Sequence, residues 1–376
     1  MNCPIVKLTQ KLIRIPSISP LDYGCQDILI KRLLRLGFIV EKININNTSN
    51  FWAYKGSGKS IVFLGHTDVV PSGNLDLWKY DPFQGYIENG ILYGRGAVDM
   101  KGALAAMILA VEEFILSNKN NYKGRLGFLI TSDEEDKGTD GIAQVVKILQ
   151  SKGVKIDYCI VGEPTSSNYV GDYIKNGRRG SLNVELKIQG IQGHIAYPHL
   201  SNNPIHTSLP FLIKLIQKKW DAGNQFFPPT MLQISSIQVD NNKNNMIPSY
   251  ICINFNIRFG PINTVLNIKK EIYKLLKRYN LNYTVKWNVA GNCFYTKPGK
   301  LLTSVKNAIS KIQLKKTSLS TSGGTSDGRF LPELGAQVIE LGLINKTIHQ
   351  VNECVKISDL QVLTRIYQNI LEEIMV

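Results

Sequence analysis

Residues 61–71 read IVFLGHTDVVP. The unbroken apolar run IVFL has the length and texture of a strand buried on both faces, as in a parallel sheet. It ends at a glycine, and His66 and Asp68 follow at once. Open α/β sheets gather their functional groups in such loops, beyond the carboxyl ends of strands.

The same grammar repeats outward from this point. Residues 126–131 (LGFLIT) and 158–161 (YCIV) read as further strands, and acids follow each of them, Asp133-Glu134-Glu135 and Glu163. Helices are expected at 23–36, 102–116 and 141–150 from apolar residues at helical spacing, with Gly37 ending the first. Strands alternating with helices predict an α/β domain with a mostly parallel central sheet. Near Gly180 the pattern changes. Residues 181–188 (SLNVELKI) alternate apolar and polar, as a strand with one wet face does. Helices near 204–219 and 264–279 and strands near 231–239, 250–259 and 282–287 complete an α+β two-layer unit. The expected organisation is one catalytic domain, 1–179 with 293–376, interrupted by an inserted domain, 180–292.

Bulk properties narrow the class. With 376 residues, 43% hydrophobic and 19% charged, the chain suits two globular domains. The first residues, MNCPIVKLTQKLIRIP, show neither a cleavage site nor a sustained apolar stretch, so a cytoplasmic protein without a membrane span is expected. The six cysteines form no CxxC pair and read as small apolar residues rather than a disulfide framework. The net charge of +15 raises a nucleic-acid partner. The lysines are spread without a basic arm, and Asn, Ile and Lys are common throughout, as in proteins of A/T-rich genomes, so no nucleic-acid partner is expected.

Two histidines and three carboxylates stand out: His66, Asp99 in GRGAVDMKG, Glu135, Glu163 in VGEP, and His349 in LINKTIHQVNE. Imidazole and carboxylate together suit zinc, with cobalt or manganese as substitutes. Five such groups exceed one tetrahedral ion and suit two ions sharing a carboxylate. Each residue alone has a plainer reading. The histidines could be satisfied by backbone groups, Asp99 could cap a helix, and Glu134 and Glu135 could be solvated acids.

Taken together and in order, HTDVVP, GRGAVDMKG, SDEE, VGEP and HQVNE resemble the M20 family of metallopeptidases and deacylases along essentially the whole chain. The resemblance implies two Zn2+ per subunit, replaceable by Co2+. It implies Asp99 as the bridge, His66 and Glu163 completing one site, and Glu135 and His349 the other. It further implies Asp68 orienting His66, Glu134 as general base, and a cis peptide after Asp99.

Residues 176–206, NNMIP at 244–248, INFNIRFG at 253–260 and STSGGTSDGRF at 320–330 resemble the branch of that family acting on succinylated amines. A small-molecule tricarboxylate amide is the substrate implied. Arg178 and Arg258 are the candidates for its carboxylates, with Gly323, Gly324 and Thr325 as further donors. Tyr197, Ser181 and Asn345 are weaker candidates, and Arg179 reads as a surface charge. The resemblance also implies a homodimer through 180–292, in which His194 of a partner subunit stabilises the oxyanion and Asn244 and Asn245 reach across. The competing expectations are another family activity, such as removal of an acetyl group, and a non-catalytic binding or structural dimer.

Overall fold

The run IVFL extends into a strand, Ser60–His66, in which every residue is buried. Its branched and aromatic side chains fit a two-sided core. In the computed structural model, which describes residues 3–119, 121–136, 138–241 and 243–376, the chain divides into two units. One comprises Met1–Gly177, Tyr295–Ser320 and Ser326–Val376; the other comprises Arg178–Phe294 and Thr321–Thr325.

The first unit is built on an eight-stranded mixed sheet. Its order is Ile39–Lys42, Asn50–Ser57, Gly124–Thr131, Ser60–His66, Tyr158–Val161, Gln337–Glu340, Tyr173–Lys175 and Ser318–Ser320. The central strands, from Gly124–Thr131 to Gln337–Glu340, pair in parallel. The strand Asn50–Ser57 is antiparallel to its neighbours.

The helix Lys101–Ser117 is buried at every residue from Lys101 to Val111, beyond the single inward face that its spacing suggests. The helices Pro4–Ile13 and Ile357–Met375 pack beside it and account for the difference. Gly102 is required there, because a Cβ would lie 2.3 Å from the Ala97 carbonyl oxygen.

The second unit is a four-stranded antiparallel sheet in the order Met231–Val239, Tyr250–Phe259, Gly180–Gln189, Tyr283–Gly291. The strand Tyr250–Phe259 buries alternate residues, and Ile251, Ile253, Phe255 and Ile257 join one core with Phe211, Leu215, Ile268 and Ile272 from two helices. Those helices run Pro204–Gln217 and Val265–Arg278. Thr321–Thr325, from beyond the insert expected at 180–292, groups with this unit.

All six cysteines are free; Cys25 and Cys159 are buried and the others half-buried. Among the described residues no helix is long and apolar enough to cross a membrane.

Candidate metal centre

The carboxyl ends of three central strands of the first unit supply the side chains. His66 is the last residue of Ser60–His66, the Asp133–Glu135 loop follows Gly124–Thr131, and Glu163 follows Tyr158–Val161. Asp99 precedes the buried helix, with a cis peptide between Asp99 and Met100. His349 sits in a turn at φ +58°.

These loops converge. His66 Nε2 lies 3.2 Å from Asp99 Oδ1 and 3.7 Å from Glu163 Oε1. His349 Nε2 lies 3.4 Å from Asp99 Oδ2 and 2.9 Å from Glu135 Oε1. Two groups, His66–Asp99–Glu163 and Asp99–Glu135–His349, therefore share Asp99 through its two different oxygens, with ligand atoms in each within 4.8 Å. A third overlapping group is His66–Glu134–Glu135. This donor set fits divalent cations: acids gathered this closely, in nearly dry surroundings, repel unless positive charge stands among them.

The electrostatics agree. Burial opposes a charge on His66, but hydrogen bonds to Asp68 and Asp99 outweigh it and raise its pKa well above the ordinary value. The Asp99 and Glu135 carboxylates hold His349 up to about 10. Burial opposes ionisation of Asp99 too, yet the two imidazoles pull its pKa below the carboxylate range. Burial, then the neighbouring Glu163 charge, pushes Glu134 well above the usual range.

Asp68 is fully buried and ties two loops together. Its Oδ2 accepts from the Glu134 and Glu135 backbone N–H groups at 3.1 and 3.0 Å. Its Oδ1 is 3.5 Å from His66 Nδ1, which also lies 3.0 Å from the Asp68 carbonyl oxygen. With Nδ1 so engaged, Nε2 is the nitrogen left facing Asp99, and its lone pair becomes available to a cation once the Nε2 proton is lost. On the far side, the backbone of Gly342 packs so closely on Glu163 that a Cβ would lie 2.3 Å from its carbonyl oxygen.

The remaining candidates fall in two groups. Asn345 belongs to the first unit, exposed in a turn, with its N–H on the Ser166 carbonyl at 2.9 Å. The others lie in the second unit. Arg178 is 8% exposed, and its Nη1 donates to the Ser322 carbonyl at 2.8 Å, in the loop holding Gly323, Gly324 and Thr325. The Thr325 hydroxyl is buried without a hydrogen-bond partner among the described residues. Arg258 pairs in register with Ser181, which accepts from Asn256 Nδ2 at 3.0 Å. Arg179 Nη1 lies 3.6 Å from Met231 Sδ.

His194 and Tyr197 are exposed neighbours, ring centroids 5.7 Å apart. His194 Nδ1 accepts from the Ala196 N–H at 3.1 Å. Asn244 and Asn245 are exposed, and the Asn245 carbonyl accepts from Ile195 N–H at 3.2 Å.

Two buried residues of the centre were not singled out from the sequence, Arg95 and Glu353. Both stand inside quoted stretches, GRGAVDMKG and HQVNE, but nothing in their spacing shows that these charges are enclosed.

The model of peptidase family M20/M25/M40 matches residues 62–373. A succinyl-diaminopimelate desuccinylase of Buchnera aphidicola subsp. Acyrthosiphon pisum (strain Tuc7) is 53% identical over 376 residues, covering 100% of both chains. An M20 family metallo-carboxypeptidase from Sulfolobus solfataricus shares the fold with a TM-score of 0.82 at 17% identity, over 98% of this chain and 99% of that one. A dinuclear metal-binding M20 peptidase of Bacillus subtilis aligns with a TM-score of 0.72 at 14% identity, over 97% and 96%.

Proposed function

The chain belongs to peptidase family M20/M25/M40, and on that premise we propose that it hydrolyses the amide of N-succinyl-LL-2,6-diaminopimelate. The products are LL-2,6-diaminopimelate and succinate, a step of bacterial lysine and diaminopimelate biosynthesis. One observation carries the reading: full-length 53% identity to desuccinylases in a chain whose two donor groups meet at Asp99.

His66, Asp99 and Glu163 would hold one cation, and Asp99, Glu135 and His349 the other, zinc by preference and cobalt as a substitute. When bound, such a pair supplies Lewis acidity at the amide carbonyl and a water of lowered pKa. The chain's own groups do the rest. Asp68 keeps the His66 ring in the Nδ1–H form. Glu134, whose burial raises its proton affinity, takes a proton from the attacking water and delivers it to the leaving amine as the C–N bond breaks.

Arg178 and Arg258 would offer guanidinium forks for carboxylates, with the Gly324 N–H, the Thr325 hydroxyl, unpartnered among the described residues, and, in the first unit, Asn345 as further candidate donors. His194 is suited to donate to the tetrahedral oxyanion. The Ala196 N–H occupies its Nδ1, so the neutral ring carries its proton on Nε2.

A homodimer through the second unit would bring His194, Asn244, Asn245 and Tyr197 to a partner's centre. The helix Pro204–Gln217 supports this with an exposed apolar stripe, Leu209, Ile213 and Ile216, bordering its buried face. A panel of purified amides with added zinc tests the activity. Preference for the succinyl amide over N-acetylornithine and dipeptides is expected, and the reverse order rejects the assignment.

A further inference from the structure

We infer that Arg95 and Glu353 form a buried clamp that positions Asp99 against His349 and so sets the cation affinity of the Glu135–His349 half of the centre. The inference rests on the two-cation reading above and goes beyond it by assigning a task to a pair that touches neither substrate nor cation.

Glu353 is 0% exposed and Arg95 2%. Arg95 Nη1 lies 2.9 Å from Glu353 Oε2. The same carboxylate accepts three backbone N–H groups of the loop leading into Asp99. Oε2 takes Gly96 at 3.0 Å, and Oε1 takes Val98 at 2.8 Å and Asp99 itself at 3.1 Å. The guanidinium reaches the other way, with Nη1 donating to the Gln350 carbonyl at 3.1 Å. Gln350 follows His349 directly. The Gly94 N–H on the Glu353 carbonyl, at 2.9 Å, closes the two loops onto each other.

One ion pair thus joins the segment that presents Asp99 to the segment that presents His349. These are distant in sequence, and His349 Nε2 must stand near Asp99 Oδ2. The other half of the centre is positioned differently. His66 is fixed by its strand and by Asp68, and Glu163 by the strand Tyr158–Val161 and the packing of Gly342. Toward the His66 loop the clamp makes one 3.3 Å bond, from Arg95 Nη2 to the Pro71 carbonyl. A buried ion pair contributes little net stability compared with apolar residues of the same volume. Its value here lies in geometry, since a carboxylate saturated by three N–H groups and a guanidinium leaves the Asp99 loop one conformation.

The test measures Zn2+ affinity on the full-length protein, by competition with a chromophoric chelator, in two backgrounds that each leave one half intact. Groups behind the ligands alter metal affinity by about 10- to 100-fold. Asp99 serves both halves, so Glu353→Gln is expected to weaken the ion in both backgrounds, by about 10- to 100-fold in the His66→Ala background, where the tie to the His349 loop is also lost, and by several-fold less than that in the His349→Ala background. Equal weakening in both backgrounds, or none in the first, overturns the clamp. Should Glu353→Gln not fold by circular dichroism, Arg95→Lys takes its place, keeping the charge while losing the fork. The same asymmetry supports the inference and its absence overturns it. Wild-type protein that binds zinc and turns over the succinyl amide, with variant affinities unchanged, removes the clamp alone. Wild type that binds no zinc at these residues removes both readings.

Discussion

Replacing Asp68 with asparagine changes one atom and one charge at the point where the two halves of the chemistry meet. The side chain is fully buried, and its oxygens serve the Glu134 N–H, the Glu135 N–H and the His66 ring at 3.1, 3.0 and 3.5 Å. An asparagine cannot serve all three. If its oxygen stays on the backbone N–H groups, its NH2 faces the His66 Nδ1–H and works against the ring form that presents Nε2 to a cation. If it turns over, two buried N–H groups face an NH2, each costing about 1–3 kcal/mol. In the milder orientation a charged acceptor becomes a neutral one, a loss of about 1 kcal/mol per bond. Across these contacts the expected loss is about 1.5–3 kcal/mol, or about 10- to 100-fold in kcat/KM. The assay is turnover of the succinylated substrate at saturating zinc, alongside metal content and thermal unfolding. A kcat/KM within about threefold of wild type, with only Tm lowered, would refute the argument and leave Asp68 a packing residue.

Two further outcomes are expected. His194→Ala should leave metal content and oligomeric state as in wild type yet lose about 10²–10³ in kcat, the loss expected of the proposed oxyanion donor. Unchanged kcat in steady-state kinetics would take His194 out of the mechanism. Cation uptake should release protons. Hydrogen bonds to Asp99 and Glu135 hold His349 up to about 10, and His66 is also raised, so both rings carry protons near neutral pH and must lose them to bind a metal. The same protons stabilise the metal-free fold. Both pKa values lie above the unfolded 6.5, so the stabilisation from these rings is complete below that pH. It is lost as pH rises through the folded values, toward about 10 for His349. Calorimetry of zinc binding in buffers of differing ionisation enthalpy reads the released protons directly; none released would contradict the assigned ligands.

Much of this was legible because the local signals were strong. The run IVFL with its terminal glycine marks the central strand, which proves to run Ser60–His66. The alternation in 181–188 marks the second unit's sheet, within the strand Gly180–Gln189. Each of the acidic loops stands where a strand or buried helix begins or ends, so order along the chain carried information about place in space.

Other parts gave weak local signals. Asn50–Ser57 (NFWAYKGS) has no clean period of two, because it starts in the core and runs out to solvent. The helix Ile357–Met375 is different, since Leu360, Leu363, Tyr367, Ile370 and Leu371 recur at helical spacing, and only its packing against Lys101–Ser117 is a property of the fold. Thr321–Thr325 reads as a flexible glycine-rich turn, and only long-range contacts group it with residues such as Arg178. Arg95 and Glu353 carry ordinary surface residue types, and their burial is a property of the assembled loops.

The most direct test of the account combines metal content with turnover for Glu134→Ala. Glu134 stands in a donor cluster with His66 and Glu135, but its assigned work is proton transfer rather than holding either ion. The account predicts two zinc equivalents bound as in wild type, with kcat on the succinylated substrate lowered by about 10²–10⁴. A variant that keeps its rate within about tenfold of wild type while binding both ions would contradict it.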